Sequence, residues 1–283
     1  MPTVSIGTEL EMYAEDQPCP TAFREYYDNQ WEINDTFVSI MTTRKGNSAI
    51  ADCIGMAASE SLQTLREYIH YAVVDLEYTW SCARGLVFNG LHVHIGGDVA
   101  HLFSSRRSLL SRFENTILGY YARKFGIDDR LLLSHHLWGA KRDTIYDWKS
   151  RPRYFPVVVC ERLGTIEVRV FHAKHYHNAD TIASILCSAY FDAVTGGGEM
   201  YAEIGRNLKD MMFGIPADFP FDEATAEEWL KAFNQLKDFC NRWGIQNHCS
   251  AGVDGNYFYI KAYGGYLADI DIYEGGYDEE EDY

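Results

Sequence analysis

Three short stretches of the sequence place ionisable side chains two residues apart with an apolar residue between them. Glu9 and Glu11 flank Leu10, His92 and His94 flank Val93, and Glu167 and Arg169 flank Val168. In a strand, residues i and i+2 project from one face, so each pair points together while its apolar neighbour packs the other way. A charged pair on a strand with a buried face is costly unless it meets a metal, a counter-charge or a ligand. Several carboxylates with an imidazole make a hard, oxygen-rich donor set suited to Mg²⁺ or Mn²⁺ holding nucleotide phosphates. An arginine beside such a set can neutralise a phosphoryl group in transit. Taken singly, each pair has an ordinary explanation. Glu-x-Glu sits on many solvated strand faces, His-x-His arises by chance, and Glu-x-Arg is commonly a cross-strand ion pair of small energy. Their occurrence together, each in a strand-like context, is what points to chemistry.

The elements that must carry these pairs follow from periodicity. Val4, Ile6, Leu10 and Met12 alternate with small or acidic residues, which predicts a strand over residues 3–13. Residues 31–55 read as two or three short strands with Gly46-Asn47 as a turn. Leu62, Leu65, Ile69, Val73, Leu76, Trp80 and Ala83 recur at three- and four-residue steps, predicting a long amphipathic helix. Ser59 or Ser61 is its expected cap and Gly85 its stop. Residues 86–97 read as a strand running into glycines, and Leu110 to Phe125 as a second helix ending near Gly126. Two strands, 154–160 and 164–172, flank a turn at Arg162-Leu163-Gly164. Asp180 is the expected cap of a third helix that Gly196-Gly197-Gly198 ends, and a fourth helix carries Trp229 to Trp243. A short strand is expected near 257–262. His172, His175 and His177 read as a polar loop rather than a zinc site. Clustered strands separated by long helices predict an α+β fold with an antiparallel or mixed sheet.

Composition narrows the function classes. The chain has 283 residues, of which 47% are hydrophobic, and that is enough to bury a sizeable core. A net charge of −16 argues against a nucleic-acid partner, since a phosphate backbone would be repelled. No apolar run reaches the length of a membrane span. The seven scattered cysteines contain no C-x-x-C pair, which suits a reducing cytoplasm. The first residues enter a strand without a basic or apolar leader, so no signal peptide is expected. Residues 1–263 read as one domain. Residues 264–283, which end in Asp278-Glu279-Glu280-Glu281-Asp282, read as a solvated acidic tail.

Gly7-Thr8-Glu9-Leu10-Glu11 resembles the first-strand motif of glutamine synthetase-like enzymes. Gly90-Leu91-His92-Val93-His94 resembles their Gly-x-His-x-His motif, and Thr165-Ile166-Glu167-Val168-Arg169-Val170-Phe171 their Ile-Glu-x-Arg-Phe motif. Length, layout and the segment Arg153-Tyr154-Phe155-Pro156 are similar to the amidoligase group of carboxylate–amine ligases in that superfamily. The resemblance covers residues 3 to 195. It implies a curved catalytic cleft formed by the sheet and packed by long helices, with ATP and Mg²⁺ (or Mn²⁺) as cofactors. It also implies an amide bond formed through an acyl phosphate, from small-molecule or peptide carboxylate and amine substrates.

The resemblance assigns roles residue by residue. Glu9, His92 and Glu167 would hold the metal bridging the ATP phosphates, with Glu11 facing a second metal nearer the carboxylate substrate. His94 would lie against nucleotide phosphate, and Arg169 would stabilise the γ-phosphoryl group. The family carries a further glutamate after the second strand cluster. Here that segment reads Ala49-Ile50-Ala51-Asp52-Cys53, and Asp52 stands as the shorter carboxylate for the second metal. Lys149, Arg151 and Arg153 read either as a clamp on phosphates, with Arg153 in catalysis and Arg151 on nucleotide, or as a charged surface loop. Two alternatives stay open: a guanidino kinase-like phosphotransferase, and a non-catalytic binding or structural relative of the same fold.

Overall fold

The computed structural model describes residues 2–14, 24–27, 30–33, 36–75, 86–128, 156–213, 223–262 and 265–271. In chain order, β1 (Thr3–Ala14), β2 (Arg24–Tyr27), β3 (Gln30–Ile33) and β4 (Val38–Met41) precede α1 (Asn47–Asp75). β5 (Leu86–Gly97) is followed by α2 (Asp98–Ser105) and α3 (Arg107–Phe125). The hairpin of β6 (Val157–Cys160) and β7 (Thr165–His172) leads to α4 (Ala179–Thr195) and α5 (Glu199–Phe213). After these come α6 (Glu223–Trp243), β8 (Cys249–Asp254), β9 (Tyr257–Ala262) and β10 (Gly265–Asp271). The chain divides into two compact units, one of Met1–Tyr121 with Lys149–Arg206, the other of Ala122–Trp148 with Asn207–Tyr283.

The first unit holds a seven-stranded sheet in the order β2-β3-β1-β5-β7-β6, with β4 also paired to β1. Its pairings are antiparallel, which makes the architecture α+β. Alternation gives the sheet two unlike faces. Val4, Ile6, Leu10, Leu91, Val93, Ile95, Ile166 and Val168 are all fully buried on one of them. Burying an aliphatic side chain of this kind contributes about 1.5–3 kcal/mol, so this face sets the register against the helices. α1 lies against β1, β4 and α4, and α2 against β5 and β7. Buried Phe103 of α2 packs on Phe113 of α3 and Tyr190 of α4, and Tyr121 of α3 meets Phe171 of β7 edge to face.

α1 begins at Asn47, twelve residues before the expected cap at Ser59. Ala49, Cys53, Ile54, Ala57, Ala58, Ser61, Leu62 and Leu65 are buried at helical spacing, a pattern of small residues that short-range alternation does not distinguish from strands. Neither serine caps the helix. Ser59 Oγ donates to Asp180 Oδ1 on α4 at 3.2 Å. Ser61 is fully buried and joins Thr8 and Thr36 in a hydroxyl knot. Its Oγ donates to the Thr36 carbonyl at 2.6 Å, and Thr36 Oγ1 receives the Thr8 amide at 2.8 Å. Asp180 lies in the first turn of α4, and Asn178 is the flanking residue that accepts the Ile182 amide. Gly196 ends that helix with a left-handed φ of 82°, a conformation that favours glycine, and α5, unforeseen in the sequence, starts three residues later.

The second unit packs α6 against a three-stranded antiparallel sheet in the order β10-β9-β8. Trp229 on α6 meets Phe258 on β9 edge to face at 5.7 Å. Residues 265–271, read from sequence as the start of the tail, are the strand that pairs with β9. Residues 272–283 lie outside the described residues. No described helix is long and apolar enough to cross a membrane.

Candidate metal centre

The three central strands bring the three polar pairs onto one face. Glu9 on β1 stands opposite His92 on β5, and His94 stands opposite Glu167 on β7. Gly7 lies opposite His94 and leaves that position without a side chain. The apolar partners Leu10, Val93 and Val168 are buried on the other face, as period-two alternation requires. β7 places Val168 to Phe171 against only Leu91 to Val93 of β5, so it carries one extra residue at Arg169 and Val170. Such a bulge commonly re-aims a side chain beside a site. It explains why Val170 and Phe171, adjacent in sequence, are both fully buried.

His92 is the centre of the cluster. Its ring is 2% exposed, with Nδ1 3.1 Å from Glu167 Oε1 and 3.6 Å from Glu9 Oε2, and Nε2 3.5 Å from Glu11 Oε2. His94 Nε2 lies 2.9 Å from Glu9 Oε2. A carboxylate only accepts, so Nε2 carries a proton toward Glu9, while Nδ1 shares a hydrogen bond with the Thr165 hydroxyl at 3.1 Å. Arg169 Nε lies 3.4 Å from Glu167 Oε1. All six residues are thus linked through short contacts. Exposure rises from His92 outward to Glu11, whose side chain is 31% exposed.

The charges respond to this arrangement. Burial works against a charged His92, but the Glu11 charge and the hydrogen bonds of Glu167 and Glu9 outweigh it and raise its pKa above 6.5. Burial alone would raise Glu167, yet its hydrogen bond to His92, with the charges of His92 and Arg169, holds it below the ordinary carboxylate value. In this form the imidazolium serves as the counter-charge for three carboxylates. A divalent cation does the same with more charge, and the ligand atoms of Glu9, His92 and Glu167 lie within 4.8 Å of one another. Ligands around a six-coordinate Mg²⁺ at about 2.1 Å are separated by roughly 3–4.2 Å, so the donor set fits with small side-chain adjustments. Among the described residues, this is the one group of its kind.

The other expected residues fall elsewhere. Asp52 lies on α1, on the helix-covered side of the sheet, paired with Arg44 at 3.0 Å, and does not join the cluster. The reason is that its segment is helix, turned toward α4, rather than strand. Arg151 and Arg153 lie outside the described residues. His172 and His175 are buried around a short 3₁₀ turn instead of forming a polar loop. His172 Nδ1 accepts the Lys174 amide at 3.0 Å, and His175 packs edge-on to Tyr121. Thr165, which sequence reading overlooked, supports His94. Its only signal was its position two residues before Glu167 on the same face.

The sequence matches no protein-family model and no curated protein.

Proposed function

We propose that this chain is an ATP- and magnesium-dependent carboxylate–amine ligase of glutamine synthetase-like architecture, within the amidoligase group that its three motifs resemble. The observation that carries the reading is the meeting of Glu9, His92 and Glu167 from three strands, with Arg169 against Glu167. A scaffold has no physical need for three carboxylates around one buried imidazole. Bound here, Mg²⁺ would supply positive charge to the phosphate oxygens of ATP.

The residues divide the remaining work. Glu9, His92 and Glu167 hold the ion, and Glu11, the most exposed of the acidic residues, faces the substrate side. His94 has both ring nitrogens engaged, so its part is to orient Glu9 rather than to touch phosphate directly. Arg169 shields the γ-phosphoryl group as it passes to the substrate carboxylate. An amine then attacks the acyl phosphate and displaces phosphate, and the products are the amide, ADP and phosphate.

The test offers ATP, Mg²⁺, a panel of acidic substrates and hydroxylamine as a generic amine. Hydroxamate formation with phosphate release is the expected result. ADP release with a phosphorylated amine would instead identify a phosphotransferase. Tight metal binding with no turnover across the panel would favour a non-catalytic metal-binding relative. The position of Asp52 favours this second reading, because the carboxylate expected at a second metal is paired with Arg44 instead of standing beside Glu11.

A further inference from the structure

On the helical side of the first unit, Arg106, α3 and α5 line an open surface cavity of about 570 Å³. Its wall carries three arginines, Arg106, Arg112 and Arg206, against one carboxylate, Glu199. Ser108, Ser111 and Asn115 add neutral polar groups. Arg112 is already engaged, donating from Nη2 to Glu199 Oε1 at 2.7 Å and to the Gly197 carbonyl at 3.0 Å. Among the described residues, Arg106 and Arg206 form no ion pair.

Two independent features make this concavity unusual. The chain has a net charge of −16, yet three arginines line this one cavity with a single carboxylate among them. The charge also sits at the wrong end of a helix. Arg106 accepts the Leu109 and Leu110 amides at the start of α3, Arg107 follows it, and no acidic residue lies in the first turn. The positive end of a helix dipole disfavours cations and welcomes anions. Guanidinium groups pair with phosphate oxygens through parallel N–H donors, and serine hydroxyls complete such a shell. The volume falls in the range of small-ligand sites rather than that of a single free ion.

We propose that this cavity is a binding site for the phosphate group of a small phosphorylated ligand, held chiefly by Arg106 and Arg206. It shares no residue with the Glu9–His92–Glu167 cluster, and it needs neither a metal nor turnover there.

The test is calorimetric titration of the full chain with pyrophosphate, inorganic phosphate and glycerol 3-phosphate, in chelator and at about 0.15 M salt. Chelation separates this site from phosphate held through a metal. The expected result is saturable binding that weakens by about 10-fold in Arg206→Gln and is lost in the double variant Arg106→Gln/Arg206→Gln. Glu9→Gln should leave it unchanged. Tighter binding of the ester than of free phosphate would place the rest of the ligand in the cavity as well. Both arginines are exposed, so melting without ligand should match the parent and show that the double variant folds. Absence of saturable binding to the parent chain, or binding that survives in the double variant, overturns the proposal.

Discussion

His92 can exchange one counter-charge for another, and that makes it the most informative single residue. In the metal-free chain its pKa is raised above 6.5, so the protonated form stabilises the fold. That contribution is complete below the pH at which an unfolded histidine titrates, and it is lost as pH rises through the higher folded value. Melts in chelator should therefore show lower stability at about pH 8.5 than at about pH 6, and His92→Gln should flatten the difference. Mn²⁺ affinity should run the other way, rising with pH, because the ligand nitrogen must lose its proton. Glu167→Gln should weaken Mn²⁺ binding by about 10-fold or more, read by calorimetry. Arg169 is tested differently. A lysine keeps its charge but not its planar fork, so Arg169→Lys should lower kcat by about 10²-fold while melting temperature and ATP affinity barely move. Near-normal turnover would reduce Arg169 to a structural partner of Glu167.

At the scale of elements, two close approaches hold the helices where the sheet needs them. A Cβ on Gly119 of α3 would overlap the Tyr201 carbonyl of α5, and one on Gly205 would overlap the Asn115 carbonyl. The helices meet backbone to backbone there, and Tyr120 stacks on Tyr201 at 3.8 Å beside the contact. Alanine in a helix is intrinsically better than glycine by about 1 kcal/mol, so propensity alone predicts that Gly119→Ala stabilises. The overlap predicts the opposite sign, with a loss of about 1–3 kcal/mol in urea unfolding. The second approach is the Thr8–Thr36–Ser61 knot, which ties α1 to the strand carrying Glu9 and Glu11. Ser61→Ala leaves buried partners unsatisfied, and a loss of about 1–3 kcal/mol is expected in the same assay.

Across the whole molecule, each unit carries a buried acid that resists ionisation. Burial pushes the Tyr190 hydroxyl in the first unit up to about 12 and the Cys240 thiol in the second up to about 11. Both groups ionise earlier in the unfolded chain, which therefore holds fewer protons than the folded one at alkaline pH, and stability falls as pH rises. The loss should begin near pH 9, where an unfolded cysteine titrates, and deepen toward about pH 11. Cys240→Ala should shrink the part that begins near pH 9 and leave the tyrosine part in place. Urea melts from about pH 8 to 11 read the difference.

The local features of this chain were legible in its sequence because they depend on near neighbours. Period-two alternation put Glu9 with Glu11, His92 with His94 and Glu167 with Arg169 on single faces, and helical spacing marked α3, α4 and α6. The α+β class followed from the same patterns. Tertiary structure alone decided that β1, β5 and β7 are neighbours, that Glu9 faces His92 and His94 faces Glu167, and that β7 bulges at Arg169. It likewise sent Asp52 to the helical side, folded residues 47–55 as helix rather than strand and added a third strand at 265–271. The reason is physical. A strand's hydrophobic pattern says which face is buried but not which strand will lie beside it. That choice is made by contacts between residues far apart in the chain, and here the metal-binding geometry is built from such contacts.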